Sequence, residues 1–172
     1  MSTMLPLFWI QYINFKYLII SLAVIEILYT RLIEVKTANF YGNLDTNIYL
    51  KTPEGFTLPE AKSRSTYSIQ LRRSLYGLKQ SGRMWYNRLS QYLSKEGYEN
   101  NPICPCVFIK KSQKRFSIVA VYVDDINLIG TQEELEKTAD YLKKEFEMKD
   151  LGKTKFCLGL QIERSTCGIL VH

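Results

Sequence analysis

The chain has 172 residues, 46% of them hydrophobic and 23% charged, which suits one folded domain with its own core and leaves no room for the several domains of an enzyme that encloses a duplex. Its net charge of +6 is concentrated: residues 61–120 carry twelve Lys/Arg against two Asp/Glu, while the flanking thirds carry four against five and seven against ten. A basic centre between mildly acidic ends fits a phosphate-backbone track, and equally a solvated charged face. The cysteines, Cys104, Cys106, Cys157 and Cys167, form no CxxC pair, and the only histidine is His172, so neither a zinc site nor a disulfide scaffold is indicated. Reduced thiols point to an intracellular chain, cytoplasmic or nuclear.

The first apolar stretch, Tyr17 to Thr30 (YLIISLAVIEILYT), lies between Lys16 and Arg31 and is interrupted by Glu26. A membrane-spanning helix needs about 20 apolar residues, so the stretch reads as a buried helix and no stable membrane association is expected. Thr52 to Ser65 is the clearest loop. After it, Tyr67 to Leu71 alternates like a strand, and Ser81 is placed to cap a helix running to about Glu96 with Trp85, Leu89, Tyr92 and Leu93 inward. Cys106 to Lys110, Ser117 to Val123 and Ile126 to Ile129 are β-like runs. Lys110, Lys111, Lys114 and Arg115 flank the turn between the first two and suit non-specific electrostatics. Thr131 with Glu134 has the spacing of a capping box for a helix whose apolar face is Leu135, Ala139, Leu142 and Phe146. Strands at about 156–162 and 168–171 close the chain. With sparse Pro/Gly punctuation this is one continuous α+β domain, an antiparallel sheet with helices packed on one face.

The chemistry is concentrated in IVAVYVDDINLIG, residues 118–130, where Asp124 and Asp125 sit between two buried-type strands. Aspartates are common turn formers, and a solvated turn is the bland reading. With apolar flanks on both sides, however, two adjacent carboxylates raise one another's pKa unless a cation compensates. Magnesium suits hard oxygen ligands and phosphates.

YVDD, Tyr122 to Asp125, resembles the signature of reverse transcriptases. EVKTANFYGNLDTNIYLKTPEGF (residues 34–56), LRRSLYGLKQSGRMWY (71–86) and MKDLGKTKFCLGLQIERSTCGILVH (148–172) are similar to segments of the copia-type LTR retrotransposon reverse transcriptase, the polymerase region of a Gag-Pol polyprotein, in the same order. The resemblance covers about residues 21–172, with 1–20 an unmatched segment. It implies a polymerase palm with incomplete fingers and no thumb, two Mg2+ ions, dNTPs, and an RNA or DNA template-primer as partner. It also implies that the remaining polyprotein domains, including ribonuclease H, are absent.

By the same resemblance the metal-binding catalytic acids are Asp124, Asp125 and, where the family has aspartate, Glu34, with Val35 beside it completing the metal set. Glutamate keeps the charge but carries it one methylene further out, and magnesium tolerates little distortion. Since misplacing a reacting group by about 1 Å can cost roughly a hundredfold in rate, polymerization is expected to be impaired. Asn39 falls where the family has an aromatic that excludes the ribose 2′-hydroxyl, and Gln80 on the position that lines its nucleotide pocket. Lys79, Arg83, Arg72 and Arg73 surround that motif, as nucleotide-phosphate or template-backbone contacts or as solvated surface charges, and Tyr122 opens the signature at the nucleic-acid site. The competing expectation is a non-catalytic nucleic-acid- or protein-binding remnant.

Overall fold

The computed structural model of the protein describes residues 28–55, 67–112, 115–157, 160–165 and 168–171. Two compact units appear where the punctuation suggested one domain: Met1–Lys36 together with Ser90–His172, and the intervening Thr37–Leu89.

The first unit is built on a six-stranded sheet. Its strands are β1 (Tyr29–Val35), β4 (Glu99–Asn100), β5 (Val107–Ser112), β6 (Arg115–Tyr122), β7 (Asp125–Gly130) and β8 (Met148–Lys153). They lie in the order β4-β5-β6-β7-β1-β8, every neighbouring pair antiparallel. β6 and β7 are its centre because their sequences can be buried on both faces: Ser117 to Val121 and Ile126 to Gly130 are unbroken buried runs. One face is covered by a helix, Gln132–Glu145, which contacts β1, β6 and β7. Gly130 marks how closely it approaches, since a Cβ there would meet the Phe116 carbonyl and the Leu135 side chain. On the other face Leu28, Cys104, Val107, Ile118, Ala120 and Ile129 form a second apolar cluster. A three-stranded antiparallel sheet, β9 (Phe156–Cys157), β10 (Leu160–Ser165) and β11 (Gly168–Val171), ends the chain.

The second unit holds a single 3-10 turn at Ala38–Tyr41, an antiparallel ribbon of β2 (Asn43–Lys51) and β3 (Ser68–Arg73), and the start of helix α1 (Ser81–Lys95). Gly42 lets the turn pack against that helix: a Cβ would lie 2.6 Å from Met84 Cβ. The Ser74 hydroxyl donates to the Asn39 carbonyl, and the Ser74 amide donates to the Gly42 carbonyl at 3.1 Å.

Helix α1 buries Trp85, Leu89 and Leu93 as its spacing predicts, and the second helix, α2 (Gln132–Glu145), buries Leu135, Ala139 and Leu142, with Phe146 just beyond. The two are clasped by a reciprocal pair: the Tyr92 hydroxyl donates to the Tyr141 carbonyl at 2.9 Å, the Tyr141 hydroxyl to the Tyr92 carbonyl at 2.8 Å, and the rings stack 4.3 Å apart. The cap assignments need correction. The Ser81 hydroxyl bonds the Leu75 carbonyl instead of a helix amide. Thr131 sits at the N-cap of α2 but makes no side-chain cap bond, and its Oγ1 is buried without a partner. The capping box fails because Glu134 turns to Arg115 and Lys137, each at 3.6 Å.

Four of these strands are absent from the sequence reading: β2, the short β4, and the two that extend the sheet beyond the acidic hairpin, β1 and β8. β1 claims Tyr29 and Thr30, so the helix read over 17–30 does not reach its expected end; residues 17–27 of that stretch, and most of the 52–65 loop, lie outside the described residues. β8 was hidden because MKDLGK is polar and carries a glycine, as befits an edge strand. The Arg31 guanidinium fastens it to β1 through both carboxylate oxygens of Asp150, which also accepts from Lys143 on α2 at 2.9 Å and from the Gly152 amide at 3.0 Å. These bonds, Arg31 foremost, hold the Asp150 carboxyl far below the usual carboxylate range.

A buried hydroxyl network ties the connection after α1 to the sheet and to α2. The Tyr98 hydroxyl lies 3.0 Å from Ser117 Oγ and 2.6 Å from Thr138 Oγ1, and Thr138 donates to the Glu134 carbonyl at 2.6 Å. Tyr98→Phe removes the central oxygen and strands buried polar partners, so it should cost about 1–3 kcal/mol. The measurement is urea unfolding, where the midpoint should fall with the slope unchanged; an unmoved midpoint would show the network to be energetically idle.

Candidate active site

The site follows from strand register. β6 and β7 form a tight hairpin in which Tyr122 faces Asp125, leaving Val123 and Asp124 as the turn. Val123 adopts φ 52°, a left-handed conformation that a β-branched residue rarely takes, at a cost of about 1–3 kcal/mol. The turn is also bonded to β1, since the Val35 amide donates to the Asp124 carbonyl at 2.8 Å. β1 runs antiparallel to β7 with Glu34 directly opposite Asp125, so both side chains leave the same face of the sheet. By the two-residue period of a strand this is the face opposite to that of Gly130, which α2 covers. β8 extends the row, placing Lys149 opposite Glu34 on the other side. Four adjacent strands therefore present Tyr122, Asp125, Glu34 and Lys149 side by side, with Asp124 at the hairpin tip.

The electrostatics are those of a site lacking its counter-charge. Asp124 and Asp125 are half-buried, whereas Glu34 is exposed. Desolvation by burial, then the Glu34 charge, raises the Asp124 pKa; burial, Glu34 and Asp124, in that order, raise that of Asp125. Asp124 Oδ1 is inaccessible to solvent and has no hydrogen-bond partner. A buried carboxylate oxygen without a hydrogen-bond partner is costly, and its chemistry is that of a hard cation ligand. Among the described residues no three His, Cys, Asp or Glu side chains converge tightly enough to hold a metal ion unaided. That is compatible with magnesium, which keeps waters and binds through one or two carboxylates together with substrate phosphates. The hard oxygen donors and the orphaned Oδ1 fit such an ion. Beneath this row, Asn127 is buried on the same face as Asp125, its Oδ1 accepting from Thr154 Oγ1 at 3.4 Å.

Of the remaining residues singled out in the sequence, Val35, Tyr122 and the basic turn at 110–115 lie in the first unit, and Asn39, Arg72, Arg73, Lys79, Gln80 and Arg83 in the second. Val35 is buried and its amide is engaged by the hairpin tip. Asn39 is buried at 8% exposure in the 3-10 turn, and it is Phe40, 41% exposed, that offers a ring to solvent. Lys79 is exposed and Gln80 half-buried in the turn before α1, where the Gln80 carbonyl accepts from the Met84 amide at 2.9 Å. Arg83 is held by Asp45 at 3.0 Å. Arg72 and Arg73 are exposed on β3. The basic turn is partly neutralised: Lys110 pairs with Glu96 at 3.1 Å and Arg115 with Glu133 at 2.9 Å. Lys114 lies outside the described residues.

Sequence reasoning missed Lys149 and Asn127. Neither stands out by composition. Lys149 becomes visible only once MKDLGK is known to pair with β1, while Asn127 carried the faint signal of an amide inside an apolar run.

No helix among the described residues is long and apolar enough to cross a membrane. The family model for reverse transcriptase (RNA-dependent DNA polymerase) matches residues 6–172, a match that begins earlier than residue 21. The chain is 38% identical over 148 residues to the retrovirus-related Pol polyprotein from transposon TNT 1-94 of Nicotiana tabacum, covering 85% of the chain and 11% of that protein. It is 34% identical over 140 residues to the Pol polyprotein from transposon RE1 of Arabidopsis thaliana, covering 81% and 9%. Against a putative transposon Ty5-1 protein of Saccharomyces cerevisiae it is 30% identical over 136 residues, covering 78% and 43%. The chain thus spans less than half of each of these relatives. An acidic hairpin paired with β1, and a match running through almost the whole length, establish that the chain belongs to the reverse transcriptase (RNA-dependent DNA polymerase) family and carries part of the region that copia-type transposon Pol polyproteins share.

Proposed function

We propose that the first unit is a polymerase palm and that the chain derives from an RNA-directed DNA polymerase whose activity is impaired. The observation that carries this reading is the register that sets Glu34 against Asp125 beside the unpartnered Asp124 Oδ1. Asp124, Asp125 and Glu34 would hold two magnesium ions. When bound, these would acidify a primer 3′-hydroxyl and offset the charge of a triphosphate. The chain's own contribution is placement. Two central strands fix the Asp125 backbone, the Val35 amide fixes that of Asp124, and Glu34 reaches the row from a separate strand. The assignment of Asn39, Lys79, Gln80 and Arg83 to nucleotide contact, and of Arg72, Arg73 and Tyr122 to template-primer contact, rests on the resemblance of their segments. The exposed position of Glu34 favours a second reading, a nucleic-acid-binding remnant without turnover, because an extended glutamate on the surface is the least constrained of the three acids.

Two measurements follow. In buffer free of divalent ions the raised carboxyls oppose folding. A carboxyl whose folded pKa lies above its unfolded value of about 3.9 costs stability as pH rises through the unfolded value, and the cost levels off above the folded one. Asp125→Asn should therefore raise the melting temperature by a few degrees at pH 7 and leave it unchanged below about pH 3.5. Equal melting of the two proteins at pH 7 would mean that the acids do not repel. Primer extension on poly(A)·oligo(dT), in magnesium and in manganese, tests the function itself. The natural chain should extend weakly, Glu34→Asp on the order of a hundredfold faster, and Asp124→Asn not at all. No extension by any form, in protein shown to be folded, would favour the binding remnant.

A further inference from the structure

Glu34 has two neighbours in its row, Asp125 on β7 and Lys149 on β8, each directly opposite it and on the same face. Directly opposed residues hold their Cβ atoms about 4.5–5.5 Å apart, well within reach of a Glu–Lys pair. The neighbouring step shows that these two strands pair opposite charges readily. The Lys36 amide bonds the Glu147 carbonyl at 2.9 Å, and the Lys36 ammonium sits 2.6 Å from the Glu147 carboxylate. That pair has the reverse polarity of Glu34 and Lys149. Lys149 is exposed, and among the described residues neither it nor Glu34 has an ion pair or side-chain hydrogen bond. Both side chains are thus available, and a carboxylate one methylene longer than aspartate can swing to either side of β1.

We infer that Lys149 is a positioning residue for Glu34, competing with a divalent cation for its carboxylate. The Glu34 charge acts on Asp124 and Asp125 in the structure, and Lys149, one strand away and unpaired with it, is placed to draw the carboxylate toward β8 by a swing of either side chain. A divalent cation held by the acids must win the carboxylate against that pull. An aspartate, with less reach, would be less exposed to this competition, so the substitution at residue 34 creates the dependence. The inference rests on the cation-site reading above.

The test is a thermal-shift titration of the full chain with Mn2+, checked by the fraction of Mn2+ left free in solution by electron paramagnetic resonance. The natural chain, Lys149→Met, Glu34→Gln and the double variant are compared, with Lys149→Arg as the charge-keeping control. Lys149→Met should lower the midpoint Mn2+ concentration about three- to fivefold when Glu34 is present, the size expected of one cross-strand ion pair, and by less than about twofold with Glu34→Gln. Lys149→Arg, which keeps the charge, should titrate like the natural chain. The same factor in both backgrounds would overturn the inference alone, since Lys149 would then act only as a distant charge. No Mn2+ response by any of these folded proteins would overturn the cation site and this inference together.

Discussion

The antiparallel pairing of β7 with β1 is the constraint on which the rest depends. Six register pairs, from Tyr29 with Gly130 to Glu34 with Asp125, bring a strand from the start of the described chain against one that follows some ninety residues later. Because side chains alternate along a strand, a slip of one residue would send Glu34 to the α2 face and break up the acidic row. The apolar content of β7, buried on both faces, makes such a slip expensive. Ile126 and Leu128 are fully buried beneath α2, and Ile129 belongs to the cluster opposite. The acidic row is thus placed by apolar residues that are not part of it.

Holding acids in this way works against stability. The hairpin tip sets a β-branched Val123 at positive φ, a carboxylate oxygen is buried without a partner, and three negative groups share one end of two neighbouring strands. The surrounding structure offsets this with satisfied polar links. Asp150 receives Arg31, Lys143 and the Gly152 amide, fastening the edge strand to β1 and to α2. Tyr98 joins β6 to α2 through two buried hydroxyls. The strained tip is thus held between polar links that fasten β1 to β8 and β6 to α2.

The second unit is organised differently. Its ribbon of β2 and β3 leaves Tyr49, Leu50 and Ile69 exposed, and a two-stranded ribbon has little independent stability. Its order comes from close backbone approach instead: Gly42 against Met84, Ser74 against the Asn39 carbonyl, and Ser81 against the Leu75 carbonyl. These contacts hold the turn that carries Lys79 and Gln80 in a fixed shape.

The sequence by itself determined the hairpin, both helix faces and the family. Periodicity reads directly which residues an element buries, and Trp85, Leu89 and Leu93, like Leu135, Ala139 and Leu142, fall where their spacing places them. The paired aspartates between β-forming runs were equally legible, as was the glutamate at residue 34. What only the tertiary structure decided was everything that depends on pairing between distant segments. The start of β1 reads as helix in the sequence because Tyr29 and Thr30 continue an apolar run, and β8 gives no signal because an edge strand need not be apolar. Without those two strands neither the neighbours of Glu34 nor the role of Arg31 can be seen. The caps failed for the same reason: Thr131 and Glu134 have the right local spacing, but Arg115, brought close by the β6 strand, competes for the glutamate. Local patterns are set by nearest neighbours along the chain, whereas a site is set by register across strands, and register carries no signature within any one segment.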